Sequence, residues 1–317
     1  MTNNIAFVFP GQGSQEVGMG RALVENYPAA RKIFAKADDI LGFSLSQLCF
    51  EGPETDLNDT INTQAAIFVT SIAALEALKA AGYEAKPKYV AGHSLGEYSA
   101  YVAAGVLSFE DGLRLVRERG RLMKKAGELH PGGMAAILKL DDEVVAKICQ
   151  LVVAEGHGVL QIANYNSPGQ VVISGRSAAI DRGIELALQA GARRAIKLSI
   201  SIASHSELMR VVADEFRAAI NQTPLNLPEI QILANITAEP LDSLDAIQAE
   251  MEGQLTASVR WTDTVLWMVN HGVTKFIEIG SKDVLTGLIR RIAKDAETRK
   301  VGTPEDIAAL LPGKIQQ

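Results

Sequence analysis

The chain has 317 residues, enough for one large domain or two ordinary ones, with 47% hydrophobic and 21% charged residues in globular proportion. A net charge of −6 gives no basic field for nucleic acid or an anionic membrane, and two isolated cysteines, Cys49 and Cys149, make neither a disulfide scaffold nor a zinc cluster. The opening MTNNIAFVFPGQGSQ lacks a signal-type core and no apolar run reads as transmembrane, so a reduced, cytoplasmic protein is expected, without membrane or metal.

In chain order, IAFVFP (5–10) reads as a buried strand that runs into a glycine turn. Helical patterns follow at 16–40 and 62–81, then a strand KYVAG (88–92), a helix, and a second helix around 109–126. Strands alternating with helices predict an α/β fold with a parallel sheet. HPGG (130–133) marks a change. MAAIL (134–138), VLQIANYN (159–166), QVVISG (170–175) and RAIKLSI (194–200) read as strands, with helices at 141–156 and 177–192. That order, βαββαβ, is the ferredoxin-like split unit. Residues 130–200 are therefore expected to be an inserted small domain, and 1–129 with 201–317 the large one. After SHSELM a helix runs to about 221, and ILANIT (232–237) and KFIEIG (275–280) return to the large domain. The tail beyond 301 reads as peripheral.

The chemistry concentrates at GHSLGEYSAYVAAG (92–105). Gly92-His93-Ser94-Leu95-Gly96 fits G-x-S-x-G, a strand-to-helix turn that pushes a serine hydroxyl out of the sheet. Ser94 would sit at a helix N-terminus, with the N–H of Leu95 placed for an oxyanion. An ordinary helix-capping serine is the alternative. A nucleophilic serine needs a base, and there are five histidines. His130 and His157 lie in turns, His271 at a helix C-terminus, and His93 beside the serine but turned away from it. His205, in the loop of LSISIASHSELM after the inserted segment, is either the base or part of a polar capping segment. No acid stands out as a third member, which leaves a backbone carbonyl to orient the imidazole.

Two further features bear on the substrate. On a helical wheel of 111–127, Arg119 falls in the middle of the apolar arc. It is either a structural cation with a buried carboxylate or a fork for the carboxylate of a ligand. The glycine loop FVFPGQGSQEVGMG (7–20) fails the G-x-G-x-x-G spacing of dinucleotide sites. With Gln12 at its apex it is either a second oxyanion donor or a plain turn.

Together with these, TQAAIFVTS (63–71), RERGRLM (117–123), NYNSPGQVVISG (164–175), VRW (259–261) and FIEIGSKDVLTGL (276–288) make the chain resemble the malonyl-CoA:acyl-carrier-protein transacylases along nearly its whole length. The resemblance implies a hydrolase-like α/β domain with a ferredoxin-like insert. It implies Ser94 as the acyl-accepting nucleophile, His205 as its base, and Arg119 as partner of the malonyl carboxylate. The N–H groups of Gln12 and Leu95 become the oxyanion hole, and the carbonyl of Gln254 the group that orients His205. Asn166 and His93 are placed on the substrate side. The implied partners are malonyl-CoA and the pantetheine arm of an acyl carrier protein, with no cofactor and a monomeric chain. Arg290, Arg291 and Lys294 are candidates for an acidic carrier. One departure is Ile202-Ala203-Ser204 before the histidine, close to a form linked with methylmalonyl in polyketide acyltransferases. Rival readings are an acyl-thioester hydrolase on the same scaffold, a broad or methylmalonyl-selective acyltransferase, and a non-catalytic carrier-binding module.

Overall fold

In the computed structural model, which describes residues 4–311, ten strands form two separate sheets. The strands are β1 (Ile5–Phe9), β2 (Tyr89–Gly92), β3 (Gly132–Leu138), β4 (Leu160–Ser167), β5 (Gln170–Arg176), β6 (Arg194–Lys197), β7 (Gln231–Leu233), β8 (Pro240–Leu241), β9 (Lys275–Ile279) and β10 (Glu297–Val301). The first sheet runs β10-β9-β1-β2-β7-β8 and is parallel except for β8. β1 and β2 are central neighbours, Phe9 pairing with Gly92. The two loops that leave them, 11–20 and 93–95, therefore emerge side by side at the carboxyl edge, where open α/β sheets form their sites.

The second sheet runs β4-β5-β3-β6, antiparallel throughout, and takes all four strands from residues 132–197. Alternation along β3 explains its two faces. Ala135 and Ile137 pack with Ile148, Val152 and Ile180 of the helices Asp142–Ala154 and Ser177–Gln189. Met134 and Ala136 point the other way, toward the cleft between the sheets. Register shifts between Ile162 and Asn164 and between Tyr165 and Ser167 re-aim β4. As a result Asn164 and Asn166 both face that cleft.

Several expected boundaries moved. The helix read at 16–40 begins only at Arg21 and is split at Tyr27 into Arg21–Asn26 and Pro28–Leu41. Gly18 and Gly20 take left-handed φ of 99° and 80°, and Pro28 starts a new helix without the N–H that would continue the old one. ILANIT is strand only through Leu233, because Asn235 leaves the ladder to serve the site described below. Residues 297–301 form the edge strand β10 rather than the start of a peripheral tail, and a helix Pro304–Leu310 follows. ETRKV carries charges because an edge strand shows most of its side chains to water. The rest of that tail, 312–317, lies outside the described residues.

The helix Thr60–Ala80 corrects the reading that no run approaches transmembrane length. An 18-residue window of this 21-residue helix, with a mean hydropathy of 1.4, is long and apolar enough to cross a membrane, yet 83% of the window is buried inside the fold. A helix apolar on all sides is a core helix when other elements surround it, as here. No other described helix passes that test.

The elbow is locked by close approach. A Cβ on Gly92 would stand 1.9 Å from the carbonyl carbon of Gly96, and one on Gly96 would stand 2.0 Å from Phe9 O. Gly92→Ala is expected to cost about 3 kcal/mol or more of unfolding free energy in urea, since only backbone could yield. A loss below about 1 kcal/mol would contradict this packing.

Candidate active site

Ser94 takes φ 52° and His205 φ 55°, two of only five described non-glycine residues in the left-handed region. Backbone strain of this kind persists where surrounding structure fixes it. At Ser94 the fixing is explicit. Its N–H donates to Asn235 Oδ1 (2.7 Å), and its carbonyl accepts from Gln254 Nε2 (3.0 Å). The hydroxyl is then aimed at His205, Oγ to Nε2 2.7 Å.

His205 Nδ1 lies 2.8 Å from Gln254 O and 3.1 Å from Ala257 O. Both are carbonyls and can only accept, so Nδ1 carries the proton and Nε2 presents its lone pair to Ser94. A carbonyl, not an acid, orients this imidazole. The ring is 3% exposed, and burial, then the charge of Arg119, push its pKa down to about 3. The imidazole is thus neutral across the physiological range.

Arg119, on the helix Phe109–Leu129, is 1% exposed. Nη1 donates to Gln64 Oε1 (2.8 Å) and Nη2 to Gln254 Oε1 (2.9 Å) and Ser94 Oγ (3.1 Å). Nη1 also lies 3.2 Å from Met123 Sδ, and Nε has no partner among the described residues. No carboxylate of the described residues comes within ion-pair distance. Of the two readings of this arginine, the structural ion pair is not what the fold contains.

Ser94, His205 and Arg119 line a cavity of about 490 Å³ together with Gln12, Leu95, Gln64, Met123, Ser204 and Arg291. The second sheet supplies Met134, Asn164, Asn166 and Val172 to its other wall. Gly11 packs so closely on the elbow that a Cβ there would stand 2.3 Å from His93 O. The glycine loop is therefore not a free turn but abuts the turn that holds Ser94. Neither Gln12 N–H nor Leu95 N–H has an acceptor among the described residues. Seven of the eight residues expected in the site line this cavity, and the eighth, Gln254, stands behind it, bonded to Ser94, Arg119 and His205.

The acyl transferase domain family matches residues 6–308. The chain is 42% identical over 305 residues to the malonyl CoA-acyl carrier protein transacylase of Bacillus subtilis (strain 168), covering 96% of this chain and 95% of that one. The chain belongs to this acyl transferase family of malonyl CoA-acyl carrier protein transacylases. Solved structures agree with this acyltransferase fold. An acyl carrier protein S-malonyltransferase from Vibrio cholerae superposes with a TM-score of 0.93 at 41% identity, over 97% of this chain and 100% of that one. A malonyl-transacylase in complex with its type II PKS acyl-carrier protein gives 0.93 at 38% identity, over 97% and 99%.

The acyltransferase site also holds residues that sequence reasoning missed, and a contact it did not foresee between two that it named: His93 Nε2 lies 2.8 Å from Asn166 Oδ1, a bridge from the elbow to the second sheet. Its ring meets Trp261 edge-on at 5.6 Å. Gln64 was legible only as part of TQAAIFVTS, since nothing in a helical glutamine announces an arginine partner. Asn235, Glu97 and Glu250 lie behind Ser94, each at most 4% exposed. An acid deep in an apolar helix was the available signal for Glu97, but the wheel cannot name its partners.

Proposed function

We propose that this acyltransferase moves a malonyl group from malonyl-CoA to the pantetheine thiol of an acyl carrier protein, through a malonyl ester on Ser94. His205 Nε2 takes the Ser94 proton as Oγ attacks the thioester carbonyl. The N–H groups of Gln12 and Leu95 receive the charge that develops on the carbonyl oxygen. The C–S bond breaks, and CoA leaves as the thiol with the proton held by His205. The carrier thiol then gives its proton to His205 and attacks the ester, and Ser94 recovers its proton as the malonyl thioester departs. Asn166 and His93 form part of the wall that the acyl chain passes. The segment 130–200, read as the inserted small domain, closes the cleft and limits water, the competing acceptor.

The observation that carries this reading is Arg119: a buried cation beside Ser94 Oγ with no carboxylate among the described residues to balance it. An acyl group that ends in a carboxylate supplies that charge, bound by a planar fork suited to it. A hydrolase for plain acyl groups has no use for it. The reading calls for no cofactor, and it takes the chain as a cytoplasmic monomer. Arg291, exposed at the rim of the cavity, with exposed Arg290 and Lys294 nearby in sequence, is offered to an acidic carrier.

Intact-mass measurement tests the reading. Malonyl-CoA without carrier is expected to leave one malonyl adduct, absent from Ser94→Ala and discharged by added carrier protein. An adduct that decays to malonate with or without carrier makes the protein a hydrolase. A stable carrier complex with no adduct makes it a binding module. The pH dependence of adduct formation has a defined sign. Protonation would disable His205, and its pKa is lowered from the ordinary histidine value to about 3. Stopped-flow acylation is therefore expected to hold its rate from pH 7 down to 5. A halving near pH 6.5 would show an imidazole that titrates as in water.

A further inference from the structure

Two carboxyl groups meet under the nucleophile, and both are buried: Glu97 at 0% exposure and Glu250 at 4%. Glu97 stands in the first turn of the helix Gly96–Ala103, Glu250 near the end of the helix Leu244–Gly253. The backbone N–H of Asn235 lies 2.9 Å from Oε1 of each, so the two carboxyls share one donor. Among the described residues, neither has a lysine or arginine within ion-pair distance. Two like charges this close in an apolar setting do not both persist, and the pair retains a proton.

The hydrogen bonds around the pair decide where that proton sits. Arg119 can only donate, so the Gln254 amide must turn Oε1 toward it (2.9 Å). The NH₂ of Gln254 then faces Ser94 O and Glu97 Oε2, which must accept. The Ser94 N–H can only donate, so Asn235 Oδ1 faces it (2.7 Å). The NH₂ of Asn235 is left for Gly92 O (2.7 Å) and Glu97 Oε1 (2.8 Å), which must also accept. Both oxygens of Glu97 are thereby committed as acceptors, as in a carboxylate. Glu250 uses only Oε1, toward the N–H groups of Asn235 and Ile236, and keeps Oε2 for a proton.

We propose that Glu97 is the positioning acid of this site, a carboxylate that aims Ser94 through Asn235 and aims Arg119 and His205 through Gln254, while Glu250 carries the pair's proton. Glu97 acts on Arg119 only through the Gln254 amide and forms no direct ion pair with it, so the charge of Arg119 stays open to the acyl carboxylate. The His205 carbonyl partner belongs to the same glutamine whose side chain Glu97 holds. Burial, and then Glu250, push Glu97 well above the ordinary carboxylate range, and burial pushes Glu250 up to about 7, so the pair retains a proton. These shifts alone would place it on Glu97, and it is the three donors fixed on Glu97 by Asn235 and Gln254 that place it on Glu250. The other titratable groups that face the pair are Tyr98 and Tyr101 on the helix of Glu97, both raised chiefly by burial, and Arg119.

The inference rests on the reading of Ser94, His205 and Arg119 given above, and its first test needs no substrate. Burial also pushes Glu278 up to about 6, so the infrared spectrum of the whole protein at pH 6 is recorded in a Glu278→Gln background, where a protonated-carboxyl band is expected that adding Glu250→Gln removes. No such band in that background, or one that survives the added Glu250→Gln, overturns the assignment. This holds whether or not Glu97→Gln folds. The second test is kinetic. An amide at 97 puts an N–H against Gln254 or Asn235 and turns one of them over. Glu97→Gln is expected to slow malonylation of Ser94 on the order of 100-fold, and to lower the malonyl-to-acetyl rate ratio about tenfold, because Arg119 loses its orienting partner. Glu250→Gln, isosteric with the protonated acid, is expected to lose at least about tenfold less. Equal losses in the two variants, or an unchanged acyl ratio in Glu97→Gln, leave the pair a packing feature and sink the proposal. A malonyl adduct that persists in Ser94→Ala would instead remove the underlying reading and leave the infrared result standing.

Discussion

Ser94→Ala is expected to lose malonyl transfer by roughly four to six orders of magnitude, and His205→Ala by a similar factor. The double variant is expected to lose no more than either single one. The reason is the geometry: one hydrogen bond of 2.7 Å joins the two, and its proton is the one that must move. With Ser94 gone there is no oxygen to acylate; with His205 gone there is no lone pair in reach of the Ser94 proton. Residues that act as one unit show this non-additivity, whereas independent contributions would multiply. Single-turnover transfer from malonyl-CoA, with circular dichroism to show that each variant is folded, is the measurement. Losses that multiply in the double variant would mean that the pair does not work as nucleophile and base. The residual rate in all three variants would come from the proposed oxyanion donors, Gln12 and Leu95, which these substitutions leave in place.

Arg119→Ala is expected to separate two substrates. The malonyl carboxylate would lose two charge-assisted donors in a buried cavity, about 3–5 kcal/mol, or roughly 10²- to 10⁴-fold in transfer. Acetyl carries no carboxylate and is expected to lose less than about tenfold, chiefly because Arg119 Nη2 also touches Ser94 Oγ. Arg119→Lys keeps the charge but not the planar fork, and is expected to fall between. The comparison is the ratio of kcat/KM for the two acyl-CoA esters in each variant. Equal losses for malonyl and acetyl would mean that the arginine serves the fold of the elbow and not the recognition of a carboxylate.

Much of this site was legible in the sequence, for a local reason. The elbow, its serine and the N–H of Leu95 are consecutive residues whose geometry is set by Gly92 and Gly96 packing within one turn. The succession of short strand and helix patterns in βαββαβ order is also local, and the second sheet follows it strand by strand. Arg119 was conspicuous because a charge in an apolar helical arc violates a period that the chain itself defines. These are properties of short windows, where spacing along the chain and spacing in space coincide.

The rest was decided by contacts between distant segments. The choice of a carbonyl over an acid for His205 depends on Gln254, 49 residues away. The partners of Glu97 lie 138 and 157 residues off at Asn235 and Gln254, and no pattern in a window predicts which amide meets which acid. ILANIT read as strand to its end because it is a short, mostly apolar run, yet Asn235 had to leave the ladder for its side chain to reach the Ser94 N–H. The helix Thr60–Ala80 is the converse: its composition fits a membrane as well as a core, and only the elements packed on every side of it choose the core. What the chain alone determined about this protein is which groups can do chemistry. Which proton each group holds, and which partner it faces, followed from burial, because hydrogen-bond donors and acceptors removed from water must be satisfied by whatever the fold brings next to them.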